Sequence, residues 1–148
     1  MKKFKFSLDS VLSYKQQMLD AIKGEHAAIL AKVREQEDYL DQLWEKYHTY
    51  NAEYRQRKTE GMTILDATIY QNGLRSMEVI IQQETERLEA LRKEEEAKRQ
   101  EVIEAKTDTA SIEKLKDKKL DLYQKAVAKN EEALIDEFIS SSRSRTTA

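Results

Sequence analysis

Residues 7–58 read SLDSVLSYKQQMLDAIKGEHAAILAKVREQEDYLDQLWEKYHTYNAEYRQRK. Leu8, Val11, Lys15, Met18, Ile22, Glu25 and Ile29 follow alternating steps of three and four, the rule for one helix lying along another. The rule restarts at Val33 and runs through Gln36, Leu40, Leu43, Tyr47, Tyr50 and Tyr54. Two steps of four meet at Ile29, which predicts a stutter that locally relaxes a left-handed supercoil. A helix cannot bury so long a stripe against itself, so it needs a partner of similar length. The rest of the chain is expected to supply it.

Composition agrees with that reading. The chain has 148 residues, no proline, three glycines, 36% charged residues and a net charge of -2. Such a balance describes long solvated helices rather than a globular core with loops. The charges are mixed in sign and the apolar residues periodic, so disorder is expected only at the two ends. No cysteine is present, so there is no disulfide framework and no thiol chemistry. No run of about 18 apolar residues offers a membrane span. The start Met1-Lys2-Lys3-Phe4 has no apolar stretch behind it, so no signal peptide is expected. Near-neutral charge argues against a generic nucleic-acid binder, which must neutralise phosphates.

Outward from 7–58, Ser7 is read as the N-cap, with Phe6 and Val11 spaced as a hydrophobic staple. Phe4 is then either greasy packing or a docking anchor. Arg57 and Lys58 complement the dipole at the end of helix 1. Gly61 offers the left-handed conformation that stops a helix, and Thr63 with Asp66 resembles a capping box. A tight turn over 59–63 therefore closes an antiparallel pair. Helix 2 is expected over 64–139, with a seam at Tyr70, Leu74, Met77, Ile81, Glu84, Leu88, Leu91, Glu95, Lys98, Val102, Ala105 and Ile112. Gly73 near its start permits a kink. Residues 92–101 are charged except Ala97 and Gln100, a solvated face with supporting pairs.

The fold class that follows is all-α: two long helices in an antiparallel coiled-coil hairpin, with helix 2 overhanging. A single hairpin over 1–139 is expected, then a disordered tail over 140–148. The overhang is roughly 25 residues, about 37 Å at 1.5 Å per residue. It holds Ile112, Leu115, Leu120, Leu122, Tyr123, Val127, Leu134, Ile135 and Phe138 among Lys114, Lys116, Lys118 and Lys119. An apolar stripe with no partner in its own chain is a binding surface or an oligomer contact.

Tyr39, Trp44, Tyr47, Tyr50 and Tyr54 either fill a wide seam near the turn or leave an aromatic surface for a partner. Catalytic residues, metal ligands and cofactors are not expected. His26 is read as a polar position beside the seam. His48 has Glu45 and Glu53 nearby, a pattern common by chance, and a solvated helix pair has no cleft to shift their protonation.

Several motifs in order carry a resemblance. They are Phe4-x-Phe6-x-Leu8-x-x-Val11-Leu12, Tyr50-x-x-Glu53-Tyr54-Arg55, Ile112-Glu113-Lys114-Leu115-Lys116-x-Lys118-Lys119 with Tyr123, and Ile135-Asp136-Glu137-Phe138. Together they resemble the FliJ family, the small coiled-coil component of the bacterial flagellar protein export apparatus. The resemblance implies a hairpin similar to the central stalk of rotary ATPases, without catalytic activity. It implies a cytoplasmic protein, peripheral at the inner face of the cell membrane. Its implied partners are the hexameric export ATPase, the cytoplasmic part of the membrane export gate, and export chaperones that it escorts. The ring-binding end would carry Phe4, Phe6, Ile112, Leu115, Leu120, Tyr123, Val127, Leu134 and Phe138. The gate-binding positions would be Tyr47, Tyr50, Tyr54, Met77 and Ile80. One departure is Gly73, where family members tend to carry an aromatic residue. The competing reading is a generic coiled-coil scaffold that self-associates. A true rotary central-stalk subunit would need a globular domain for which 59–63 leaves no room.

Overall fold

The computed structural model describes residues 2–146. It holds two helices, α1 (Asp9–Glu60) and α2 (Ile64–Thr146), joined by a three-residue turn into an antiparallel hairpin. The turn works as its residues dictate. Gly61 has φ +104°, a left-handed conformation that costs an L side chain roughly 1–2 kcal/mol. The Asp66 amide donates to Thr63 Oγ1 at 3.1 Å, and the Ala67 amide donates to the Thr63 carbonyl at 3.0 Å. Thr63 therefore caps α2 and satisfies an otherwise orphan amide.

The start of α1 differs from expectation. The helix begins at Asp9 rather than at Ser7, because the Asp9 amide turns back onto the Phe6 carbonyl at 3.1 Å and Leu8 accepts the first helical bond from Leu12. Val11 is exposed, so it does not staple Phe6; Leu12 is buried instead. At the other end, α2 does not stop at 139. It continues to Thr146 through most of the expected disordered tail, while Thr147 and Ala148 lie outside the described residues. No glycine or proline follows Gly73, so nothing in the backbone chemistry stops it.

Within the hairpin the chain forms two compact units. The turn unit is 21–102. The open unit is residues up to Asp20 together with those from Ile103 onward.

In the turn unit, Val33, Leu40, Ile81 and Leu88 form the buried centre, with Leu43, Tyr47 and Leu91 packed against it. Each such side chain contributes roughly 1.5–3 kcal/mol by leaving water. Polar residues also occupy seam positions here. Gln36 Nε2 donates to Glu84 Oε2 at 2.6 Å and to the Glu84 carbonyl at 3.0 Å. His26 Nε2 lies 2.8 Å from Glu95 Oε1, with both side chains about four-fifths buried. Lys98 Nζ sits 2.8 Å from both Glu25 and Glu101. Those hydrogen bonds, with Glu101 first, raise the lysine above its ordinary range.

In the open unit, α1 and α2 are joined by Gln16 Nε2 donating to Glu113 Oε1 at 3.2 Å and by the Lys116–Asp9 ion pair at 2.9 Å. Thr109 is the most deeply buried polar residue, its hydroxyl donating to the Ala105 carbonyl at 2.8 Å.

The α2 seam expected from 70 to 112 is buried or half-buried at every position, with Thr109 and Lys116 added. On α1 the seam is corrected at three places. Val11, Met18 and Glu25 are exposed; Leu12, Leu19 and His26 face inward instead. The steps from Leu8 to Tyr54 then alternate four and three without a break, so the stutter expected at Ile29 is absent. His26 lies in the seam, not beside it.

Candidate functional site

Two surfaces hold the residues singled out above. In the open unit, 2–6 form an extended strap along α2. The Tyr123 hydroxyl donates to the Lys2 carbonyl at 2.6 Å, and the Phe4 and Tyr123 rings lie 5.6 Å apart, tilted by 50°. Phe6 is buried and Phe4 half-buried. Both are packing residues in this arrangement, and the lysines between them, Lys2, Lys3 and Lys5, are exposed.

The strap changes the extent of the overhang. Ile112 and Leu120 are half-buried, and Tyr123 lies beneath the strap. Val127 is half-buried, while Leu115 and Leu122 are exposed. From 128 to 145 every side chain is exposed. Leu134 is 65% exposed and Phe138 74%, with Ile135 and Ile139 beside them. The unpartnered stripe is thus shorter than expected and begins beyond Tyr123, because the strap extends the pairing where helix 1 has already ended. Of the nine expected residues, Leu134 and Phe138 are widely open, Leu115 marginally so, and the other six are at least half-covered.

In the turn unit, Tyr54 is buried with its ring 5.4 Å from Tyr70; Tyr50 lies 5.0 Å from the same ring. The Tyr70 hydroxyl donates to Glu53 at 3.0 Å, and that of Tyr47 to Glu78 at 2.8 Å. The Glu78 hydrogen bond raises the Tyr47 phenol above its usual value, whereas for Tyr70 burial is the larger cause and the Glu53 bond the second. Met77 is half-buried and Ile80 exposed. The expected gate set is therefore mostly seam; of its five residues only Ile80 is exposed.

Gly73 lies directly against a side chain of α1. A Cβ placed there would lie 2.6 Å from the Tyr50 hydroxyl oxygen and 2.9 Å from its ring. The glycine makes space for Tyr50 to cross α2. α2 runs as one helix through this position.

Sequence reasoning left out of the gate set other open apolar residues. Trp44, as exposed as Ile80, stacks on His48 with ring centres 5.7 Å apart and meets Tyr47 edge-on at 5.6 Å. Ile64 is 88% exposed, with Leu65, Ile69 and Val79 also open. A solvent-facing apolar residue next to a seam has no periodic signal of its own, although Trp44 is a residue type enriched at interfaces.

His48 is engaged by aromatic rings rather than by carboxylates. Among the described residues no cluster of three His, Cys, Asp or Glu is arranged to hold a metal. No helix among them is long and apolar enough to cross a membrane.

The family model described as flagellar FliJ protein matches residues 4–147. No curated protein and no solved structure gives a significant match to the chain.

Proposed function

Because the chain belongs to the FliJ family, whose members are components of the flagellar export apparatus, we propose that it acts there as a stalk. Its open unit enters the ring of the export ATPase and promotes ring assembly. The supporting observation is that α2 continues from Tyr123 to Thr146 with Leu134, Ile135 and Phe138 uncovered by any described segment of the chain. A bare apolar stripe on a single helix fits a surrounding groove. The role asks for no catalytic residue in this chain.

The turn unit is the part we assign to the membrane export gate, which would hold the protein at the cytoplasmic face of the membrane. Contact there would use Ile80 with the exposed edges of Tyr47, Tyr50 and Met77, while Tyr54 acts by packing under them. Escort of export chaperones belongs to the same reading.

The test is hydrolysis rate and hexamer formation by the export ATPase of the same source as this chain is added. Stimulation saturating near one copy per hexamer is expected, together with its loss in Leu134→Ser/Phe138→Ser at unchanged helicity. No effect on the ATPase, with the chain forming a stable self-dimer instead, would favour the scaffold reading.

A further inference from the structure

The free end of α2 carries a charge pattern as well as an apolar stripe. Leu134 lies one heptad after Val127, and Phe138 one helical turn beyond Leu134 on the same stripe. Glu131 and Glu137 flank that stripe, one on each side, and Glu132 and Asp136 stand on the opposite face, all exposed. Between 128 and 138 the only base is Lys129, so four carboxylates against one ammonium give that segment -3, in a chain whose total is -2. The sign is local: 114–119 of the same helix hold Lys114, Lys116, Lys118 and Lys119 against Asp117 alone.

An uncovered helical stripe ordinarily pairs with a copy of itself. Here a second copy laid over the same segment brings two stretches of -3 together, in either direction. A parallel copy sets Glu131 and Glu137 along the same seam as their equivalents. An antiparallel copy centred on Leu134 overlays the same two stretches, with Glu131 level with Glu137 of the second molecule. Like charges flanking a coiled-coil seam select against that pairing.

We propose that the carboxylates at 131–137 keep the free end of α2 from pairing with itself and select as its occupant a protein surface carrying lysine or arginine around an apolar groove. This rests on the stalk reading for the identity of the partner, but not for the chemistry of the surface.

The full chain would be titrated with a synthetic Lys/Leu heptad helix and with its Glu/Leu counterpart, at low and high salt. Binding of the basic peptide alone is expected, at least tenfold weakened by 0.5 M salt, since exposed charges are screened beyond about 4 Å at that strength. Glu131→Lys/Glu132→Lys/Asp136→Lys/Glu137→Lys should reverse the preference. Equal binding of both peptides, or an unchanged preference in the lysine variant, overturns the proposal.

Sedimentation gives a partner-free reading. The wild type should be monomeric where Glu131→Gln/Glu132→Gln/Asp136→Asn/Glu137→Gln dimerises. A wild-type dimer that Leu134→Ser abolishes, or a neutralised variant that stays monomeric, overturns it. Failure of the wild type to bind the ATPase would instead count against the stalk reading and leave both of these measurements decisive. An ATPase that binds wild type and lysine variant alike would sink the charge selection and spare the stalk.

Discussion

The turn unit and the open unit use the same heptad rule to opposite ends. In the turn unit both helices are present along the whole seam, and its polar members meet partners across it: Gln36 with Glu84, His26 with Glu95, Lys98 with Glu25. In the open unit α1 gives out at Asp9, a five-residue strap continues the pairing as far as Tyr123, and α2 goes on alone. The same spacing of apolar residues is therefore core in one place and interface in the other. What separates them is only whether a second segment of chain lies opposite.

The largest contrast should be in stability. Ile81→Ala, at 4% exposure in the centre of the turn unit, should cost roughly 2–5 kcal/mol by cavity formation. Leu134→Ala on the free helix should stay within about 0.5 kcal/mol. Denaturant midpoints followed by circular dichroism measure both; similar losses would mean that the free stripe is packed in solution.

A smaller effect tests the polar seam. His26→Leu leaves Glu95, largely buried, without its partner and should cost about 1–3 kcal/mol. Adding Glu95→Leu should recover most of that, since two apolar groups suit the seam. Gln16→Leu, which removes only an exposed bond to Glu113, should change stability by less than about 0.5 kcal/mol. Equal costs for the two single variants would erase the distinction between the units.

Smaller again is the coupling of Gly73 to Tyr50. In a Tyr50→Ala background, Gly73→Ala should stabilise α2 by up to about 1 kcal/mol through helix propensity. With Tyr50 present the phenol must move away, so the gain should shrink or reverse, along with the near-ultraviolet signal of the Tyr50–Tyr70 pair. Identical effects in the two backgrounds would show that the tyrosine does not need the space.

The smallest effect is alkaline. Tyr47 and Tyr70 have folded values raised above 10.0, so the neutral phenols are favoured by folding. Their contribution is complete below pH 10 and is lost as pH climbs through the raised values. The phenolate band should therefore lose its latest-rising part in Tyr47→Phe/Tyr70→Phe. A titration unchanged in that variant would show that the hydrogen bonds to Glu78 and Glu53 do not hold the protons.

Much of this was legible before any coordinates. Composition excluded a globular core, Gly61 and Thr63 marked the turn, and the α2 seam from Tyr70 to Ile112 could be read position by position. That was possible because polar neighbours flank most apolar residues there, so few registers fit. The N-terminal third of α1 was different. Val11 and Leu12, and Met18 and Leu19, are adjacent apolar pairs, only about 100° apart on a helix. Either member satisfies the spacing, and the choice of Leu12, Leu19 and His26 over Val11, Met18 and Glu25 was decided by what α2 places opposite: an inward carboxylate at Glu95 accepts His26, where Glu25 would meet like charge.

The candidate sites divide in the same way. Their chemistry, an aromatic turn half and an apolar end among lysines, belongs to the sequence alone. Which of those side chains remain available was decided only in the tertiary structure. The strap covers Tyr123, and Tyr70 covers Tyr54, while Leu134 and Phe138 stay open. Periodicity identifies a face of a helix, but exposure depends on a second segment whose length and path the periodicity does not contain.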